Sequence, residues 1–217
     1  KTDGSLHAMG KNSDGQLGDG TTTQRTTPVQ VASGVAQVAG GGQYSLFLKT
    51  DGSLHAMGQN SQGQLGDGTT AQRNSPVQVV ASGVAQVAAG YHHSLFLKTD
   101  GSLHAMGWNN YGQLGDGTTT NRNTPIQVVA SGITQVAPGI YHSLFLKTDG
   151  SLWAMGQNNY GQLGDGTTTQ RTSPVQILAS GVLRLSDNMP PADENNLNTL
   201  TFDDAWAVHG NGWNPAS

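Results

Sequence analysis

The decapeptide Lys49-Thr50-Asp51-Gly52-Ser53-Leu54-His55-Ala56-Met57-Gly58 decides the fold class of this 217-residue chain. Its Asp51-Gly52 pair separates two β-prone runs, Ser45 to Thr50 and Ser53 to Met57, and a two-residue Asp-Gly link of this kind predicts a hairpin. The same ten residues stand at Lys1 and Lys98. They stand again at Lys147 with Trp153 in place of the histidine, so the offsets are 48, 49 and 49 residues. The chain is therefore a tandem array. The single-residue slip falls where Val31-Ala32-Ser33 becomes Val79-Val80-Ala81-Ser82, which marks a loop that tolerates insertion.

Outward from the hairpin, Gly34 to Ala39 predicts a short strand entered from a Ser-Gly turn. Pro76 to Val80 predicts another, opened by a proline that suits an edge position. One period thus holds four short strands, lettered A to D from the inside outward. Four antiparallel strands per repeat of this length describe a propeller blade, whose small sheet buries its faces only by stacking on its neighbours around an axis. The near-continuous apolar run of strand B, Leu46-Phe47-Leu48, fits a sheet covered on both faces. No helix-length pattern of period 3.6 is present, which excludes a helical solenoid. A parallel β-helix is the remaining alternative, although its rungs are usually shorter. The expected fold is an all-β propeller of four-stranded antiparallel blades with about four repeats. The units begin near 1, 49, 98 and 147, and the array runs to 186.

Composition narrows the functional classes. Lys and Arg number 10 against 14 Asp and Glu, a formal charge of -4 that offers no basic footprint for nucleic acid or an anionic membrane. No apolar run approaches the ~20 residues that span a bilayer, and Lys1 to Gly10 lack the order of a signal peptide. The absence of cysteine removes disulfides, thiolate nucleophiles and thiolate metal sites, and leaves the redox compartment open.

The C to D connection contains GQLGDGTT, unchanged in all four units (residues 15–22, 63–70, 112–119 and 161–168). Gly58-Gln59-Asn60-Ser61-Gln62-Gly63-Gln64-Leu65-Gly66, followed by Pro76-Val77-Gln78-Val79 and by Gly90-Tyr91-His92-His93-Ser94-Leu95, resembles the regulator of chromosome condensation repeat family. The resemblance runs from Lys1 to about Ser186. It implies a β-propeller, usually of seven blades. Members of that family range from a nucleotide-exchange factor for a small GTPase on chromatin to secreted bacterial inhibitors of β-lactamase, so fold is shared more reliably than function. Near-perfect repeats and the lack of a basic tail depart from the chromatin-bound type and point to a bacterial interaction protein, secreted or at the cell surface.

Residues that invite chemical readings repeat with the scaffold. Asn12, Asp14 and Asp19 suggest oxygen ligands for calcium, yet only Asp19 has an acidic counterpart in every unit, at Asp67, Asp116 and Asp165. Capping of the glycine loop is the favoured reading, with Arg25, Arg73, Arg122 and Arg171 as partners of those aspartates. No metal or other cofactor is expected. Trp153 replaces His7, His55 and His104 freely, which a catalytic base would not allow. His93 and His142 align with Tyr44, where the resemblance implies a histidine hydrogen-bonded within its blade. No catalytic residue is assigned, and the chain reads as a non-enzyme.

The units differ at few places. After strand C these are Lys11 and Asp14, Gln59 and Gln62, Trp108 and Tyr111, and Gln157 and Tyr160. Between strands A and B they are Gly42 with Gln43, Tyr91 with His92, and Ile140 with Tyr141, which besides the glycine makes thirteen positions that bear side chains. The A to B and C to D connections of an antiparallel blade lie at one end, so these thirteen residues are expected to share one face. Trp108, Tyr111, Tyr141 and Tyr160 resemble the aromatic anchors of binding surfaces. A protein partner is therefore expected. A lectin-like carbohydrate module and a structural array of a surface or filament protein are the alternatives.

Residues 187–217 leave the repeat. There, Thr199 to Phe202, Asp203-Asp204 and Ala205 to Val208 read as strand, turn and strand, a degenerate half-blade, with a disordered tail as the alternative. The array opens on strands C and D and ends on strand A, so ring closure within the chain, or by a second copy in a homo-oligomer, is expected to match these halves; a partial propeller, a segment of a longer chain, is the alternative.

Overall fold

A computed structural model of the chain describes residues 4–185 and 208–210. Every helix-length or strand-length element among the described residues is a β-strand. β1 (Leu6–Gly10) and β2 (Arg25–Ala32) form a two-stranded sheet, the C and D strands of the first blade. The second blade is β3 (Val35–Gly40), β4 (Tyr44–Lys49), β5 (Leu54–Gly58) and β6 (Arg73–Val80). The third is β7 (Val84–Ala89), β8 (His93–Lys98), β9 (Leu103–Gly107) and β10 (Arg122–Val129). The fourth is β11 (Ile133–Pro138), β12 (His142–Lys147), β13 (Leu152–Gly156) and β14 (Arg171–Leu178). Each is an antiparallel meander in chain order, as the repeat predicts. β15 (Val182–Leu185) pairs with β16 (Val208–Gly210) as strand A pairs with strand B. The strand and turn expected over Thr199 to Ala207 lie outside the described residues.

Two local expectations are corrected. The B to C link is four residues rather than two: Gly52 N donates to Lys49 O (3.0 Å), and Lys49 N donates to Ser53 O (2.9 Å). A two-residue Asp-Gly link needs positive φ at both positions, but only Gly52 of the pair has it (φ +79°), and no non-glycine residue among those described does. Asp51 instead caps the turn, accepting from Ser53 N (2.9 Å) and Ser53 Oγ (2.6 Å). Strand D begins at Arg73, before Pro76. The ladder is broken between the Ala56–Val77 and Gly58–Arg73 pairs, and Pro76, which has no N–H to give, occupies the break. The one-residue slip sits in the D to A loop, Ser33-Gly34 in one unit and Ala81-Ser82-Gly83 in the next.

Stacking rather than any single sheet makes the core. Phe96, Leu95, Leu103, Met106 and Phe145 are each no more than 1% exposed. Val87 and Val136 on strand A are 2% and 3% exposed because the A and B strands of the preceding blade cover them. Val38, at the same place in the second blade, is 56% exposed, since among the described residues only C and D strands precede it.

Backbone contacts join the blades. Gly20, Gly68 and Gly117 in the GQLGDGTT loops donate to Asn74 O, Asn123 O and Thr172 O on strand D of the next blade, at 2.9, 2.8 and 2.8 Å. The approach is close enough that a Cβ on Gly112 (φ +76°) would lie 2.5 Å from Thr172 Cα. At the opposite end, Val84, Ile133 and Val182 donate to the carbonyls of Gly52, Gly101 and Gly150 (3.0, 3.1 and 3.2 Å). Replacing Gly112 by alanine therefore combines left-handed strain of about 1–2 kcal/mol with a backbone clash that overpacking places at about 1–3 kcal/mol more. Gly166, with φ +76° and nothing within 4 Å of its Cβ position, incurs only the strain. Thermal unfolding is expected to show Gly112→Ala far below Gly166→Ala, and equal midpoints would contradict the interlock.

His93 acts between blades, which corrects the within-blade bond expected of it. Tyr44 Oη donates to His93 O (2.5 Å), and His93 Nε2 lies 2.9 Å from Ser143 Oγ on the fourth blade. Ser143 Oγ gives its proton to Gln113 O (2.9 Å), so it accepts from His93 Nε2–H and leaves Nδ1 bare. Burial holds His93 neutral, lowering its pKa to about 3, and lowers that of His142 to about 4. The unfolded chain takes up these protons near 6.5 and the native chain only near 3 to 4, so stability is lost as pH falls through that window. His93→Tyr, which copies Tyr44, is expected to shrink the drop in unfolding temperature between pH 7 and pH 4. An unchanged drop would contradict this assignment.

Candidate functional site

The C to D loops are built around a buried amide. Asn109 Nδ2 donates to Asp116 Oδ1 (3.0 Å) and to the carbonyls of Thr118 and Thr120 (3.1 Å each), while its Oδ1 accepts from Leu114 N (2.9 Å). Asn12, Asn60 and Asn158 do the same in their units. The aspartates are consumed in this network. Asp19 accepts from Thr21 N and Thr21 Oγ1 and from Arg25 Nε (2.6 Å), and these donors bring its pKa down to about 2. All four Asp–Arg pairs close at 2.6 Å, as the repeat predicts. Their carboxylates cap the loop.

On this floor the variable positions are held by their backbones. Gln16, Gln64, Gln113 and Gln162 accept through Oε1 from the N–H groups of Asp14, Gln62, Tyr111 and Tyr160 (2.9–3.0 Å). Gln59, Trp108 and Gln157 donate their N–H groups to the carbonyls of Gln43, His92 and Tyr141 (2.9 Å each). These bonds place the A to B and C to D loops side by side on one face. Both clamps use main-chain groups of the variable positions, so identity can vary where geometry is fixed, although the side chains of Gln59 and Gln157 also accept from the clamp glutamines.

The thirteen predicted residues separate on this face. Five form one aromatic cluster across the junction of the third and fourth blades. Trp108 lies 5.2 Å from Tyr141, 5.6 Å from Tyr111 and 5.9 Å from His92 between ring centroids, mostly edge-on. Tyr111 also touches Tyr141 (5.3 Å), and Tyr91 touches His92 (4.5 Å). Tyr91 is 43% exposed, whereas Trp108, Tyr111, Tyr141 and His92 are half-buried, which keeps them partly open to solvent. Tyr160 is 83% exposed and stands alone on the fourth blade's loop, and Ile140 is half-buried beside Tyr141 in the chain. Gln59 and Gln157 accept from Gln64 and Gln162 (3.3 and 3.2 Å), and Gln62 accepts from Asn121 Nδ2 (2.8 Å). Lys11 is exposed on the first blade's loop, where Asp14 accepts from Ser13 Oγ, and Gln43 belongs to the second blade.

Of two further contributors, Gly42 reads in the sequence only as a point of variation, and Gln113 escaped the sequence reading. Gly42 leaves room for Tyr91, whose ring would sit 2.9 Å from a Cβ there. Gln113 is fully buried, and its Nε2 has no acceptor, because Trp108 stands where the second and fourth blades place the accepting glutamine. A substitution opposite an invariant glutamine was the available signal.

A Ser-His-Asp arrangement does occur at the other end of the blades, in the wrong order for nucleophilic chemistry. Ser102 Oγ donates to Asp100 Oδ1 (2.6 Å) and lies 3.1 Å from His104 Nε2, so the hydroxyl stands between imidazole and carboxylate. A serine nucleophile needs the histidine between them. Phe96 stacks on that imidazole at 5.0 Å, marking it as packing.

A family model described as an RCC1-like domain matches residues 1–197. The chain belongs to the RCC1-like domain family. No curated protein matches the sequence. Among solved structures, this RCC1-like chain is similar to human WBSCR16, with a TM-score of 0.74 at 24% identity over 84% of this chain and 51% of that one. Yeast RCC1 (Prp20), solved with Kap60 bound, gives 0.69 at 22% identity over 80% and 44%. Prp20p from Saccharomyces cerevisiae, described with its binding to Gsp1p and histones, gives 0.68 at 24% identity over 84% and 49%. The RCC1-like chain thus spans about half the length of these relatives. At such identities the likeness carries the propeller fold alone.

Proposed function

We propose that the protein is a non-catalytic binding module that captures a protein partner on the aromatic loop face. The carrying observation is the five-ring cluster of Tyr91, His92, Trp108, Tyr111 and Tyr141, assembled from three loops of two blades on an invariant hydrogen-bonded floor. Rigid, amphipathic side chains gathered at one place are the usual source of interface energy, because they bury much area for little lost rotamer freedom. Protein binding by the Prp20 structures, with Kap60 in one and Gsp1p and histones in the other, supports the class of partner and not its identity. A bacterial protein, secreted or displayed at the cell surface, is the setting we propose, a reading supported by the regularity of the repeats.

Replacing Trp108, Tyr111 and Tyr141 together by alanine is expected to lower partner affinity at least 100-fold, a loss of about 2.7 kcal/mol that a single strong hot spot can supply. The unfolding midpoint should shift little, since the clamps use backbone groups. Surface plasmon resonance against the purified partner checks this, and undiminished binding by the triple variant would refute the loop-face assignment.

A further inference from the structure

Strand A carries one glutamine in each of the second, third and fourth blades, and their bonds differ. Gln37 grips the next blade with both ends of its amide: its Oε1 accepts from Val87 N (3.0 Å) and its Nε2 donates to Val87 O (3.0 Å). Gln135 makes only the first of these bonds, accepting from Leu185 N (2.6 Å). Gln86 makes neither to Val136, and its amide has no partner among the described residues. The next position of the row departs from the repeat. Arg184 stands there in place of glutamine and pairs with His209 as Gln135 pairs with Leu146.

These residues surround a pocket of about 650 Å³, lined by Gln86, Lys98, Gln135 and Arg184 among others. Thr99 and Gly101 also line it, which puts it at the B to C end of the blades, away from the aromatic rings. Two cations face this space and no carboxylate does. Neither Lys98 nor Arg184 belongs to an ion pair among the described residues, whereas Arg25, Arg73, Arg122 and Arg171 all do. Asp100, the acid next to Lys98 in the turn, is occupied by Ser102 N (2.9 Å) and Ser102 Oγ (2.6 Å). The equivalent lysines stand elsewhere. Lys147 lies 4.3 Å over the Trp153 ring, and in the blade of Lys49 the two-bond grip of Gln37 closes the same space.

We propose that the pocket between strands A of the third and fourth blades binds a small molecule bearing oxyanion groups, phosphate or carboxylate, held by Lys98 and Arg184. Lysine supplies a compact charge and arginine a planar fork of N–H donors, and both chemistries recognise such groups. The Gln86 amide and Gln135 Nε2 add neutral donors at the same wall. Like charges that share a space without a counter-charge are each stabilised by an anion between them. The volume falls among small-ligand sites, which span about 300–1,000 Å³. This site is separate from the aromatic face and does not depend on the partner captured there.

Isothermal titration of the intact chain with pyrophosphate and with citrate, at low ionic strength and with glucose as the uncharged comparison, tests the proposal. Saturable one-site binding of at least one anion, and none of glucose, is expected, and the tighter of the two tells phosphate from carboxylate chemistry. Arg184→Gln, which restores the residue of the other units, and Lys98→Gln should each weaken binding about tenfold, the loss of one charge-assisted bond, with the unfolding midpoint retained. Arg184→Lys, which keeps the charge, should recover most of that loss. Lys49→Gln, the same substitution one blade earlier, should leave binding unchanged. Failure of both anions to bind, equal binding of glucose, or undiminished binding in Arg184→Gln and Lys98→Gln would overturn the assignment. An equal loss in Lys49→Gln would overturn it too, since the effect would then be one of overall charge.

Discussion

Each blade is gripped by backbone groups of the one before it, and that grip governs both stability and freedom to vary. The first glycine of GQLGDGTT in the first three blades comes so near strand D of the following blade that no side chain fits between, as the 2.5 Å Cβ distance from Gly112 to Thr172 shows. Gly117 N–H then bonds the Thr172 carbonyl directly. Small four-stranded sheets with both faces apolar cannot persist alone, so the interlock is what converts three local meanders and the strand pairs flanking them into one body. Strand A valines measure its effect: Val87 and Val136 are buried under preceding A and B strands, while Val38, with no such strands before it among the described residues, is open.

The grip explains why the candidate surface can be rebuilt at little cost. Gln113 holds Tyr111, and the His92 carbonyl holds Trp108, through main-chain N–H groups that any residue but proline supplies. Lys, Gln and Trp therefore occupy equivalent places in different units without altering the loop. One departure from this neutrality is informative. Placing an indole at 108 strands the Gln113 amide, a local cost of the kind tolerated at functional sites.

Much of this was legible in the sequence. Period, blade composition, the Asp–Arg pairs and the common face of the two variable loops all follow from repetition and antiparallel connectivity, which are properties of the chain alone. The B to C turn was misjudged because Asp-Gly is compatible with several turn types, and only the φ of Asp51 distinguishes them. Strand D was placed late because Pro76 reads as a boundary when it is in fact the filler of a break in the ladder. His93 was assigned to its own blade because sequence does not show that Ser143, 50 residues on, lies across the interface. Thirteen variable residues reduced to one five-ring cluster for the same reason: variability marks a face, whereas contact between particular rings depends on how two blades meet.

The central claim is that fixed backbone clamps, and not the aromatic side chains, hold the variable face in shape. The unfolding midpoint of a chain carrying both Trp108→Gln and Tyr111→Gln, the pair found at Gln59 and Gln62, tests it most directly. The account predicts a midpoint equal to or above that of the parent, since Gln113 regains an acceptor while the clamps persist. A midpoint lower by many degrees would contradict it, because the rings would then be part of the scaffold rather than cargo upon it.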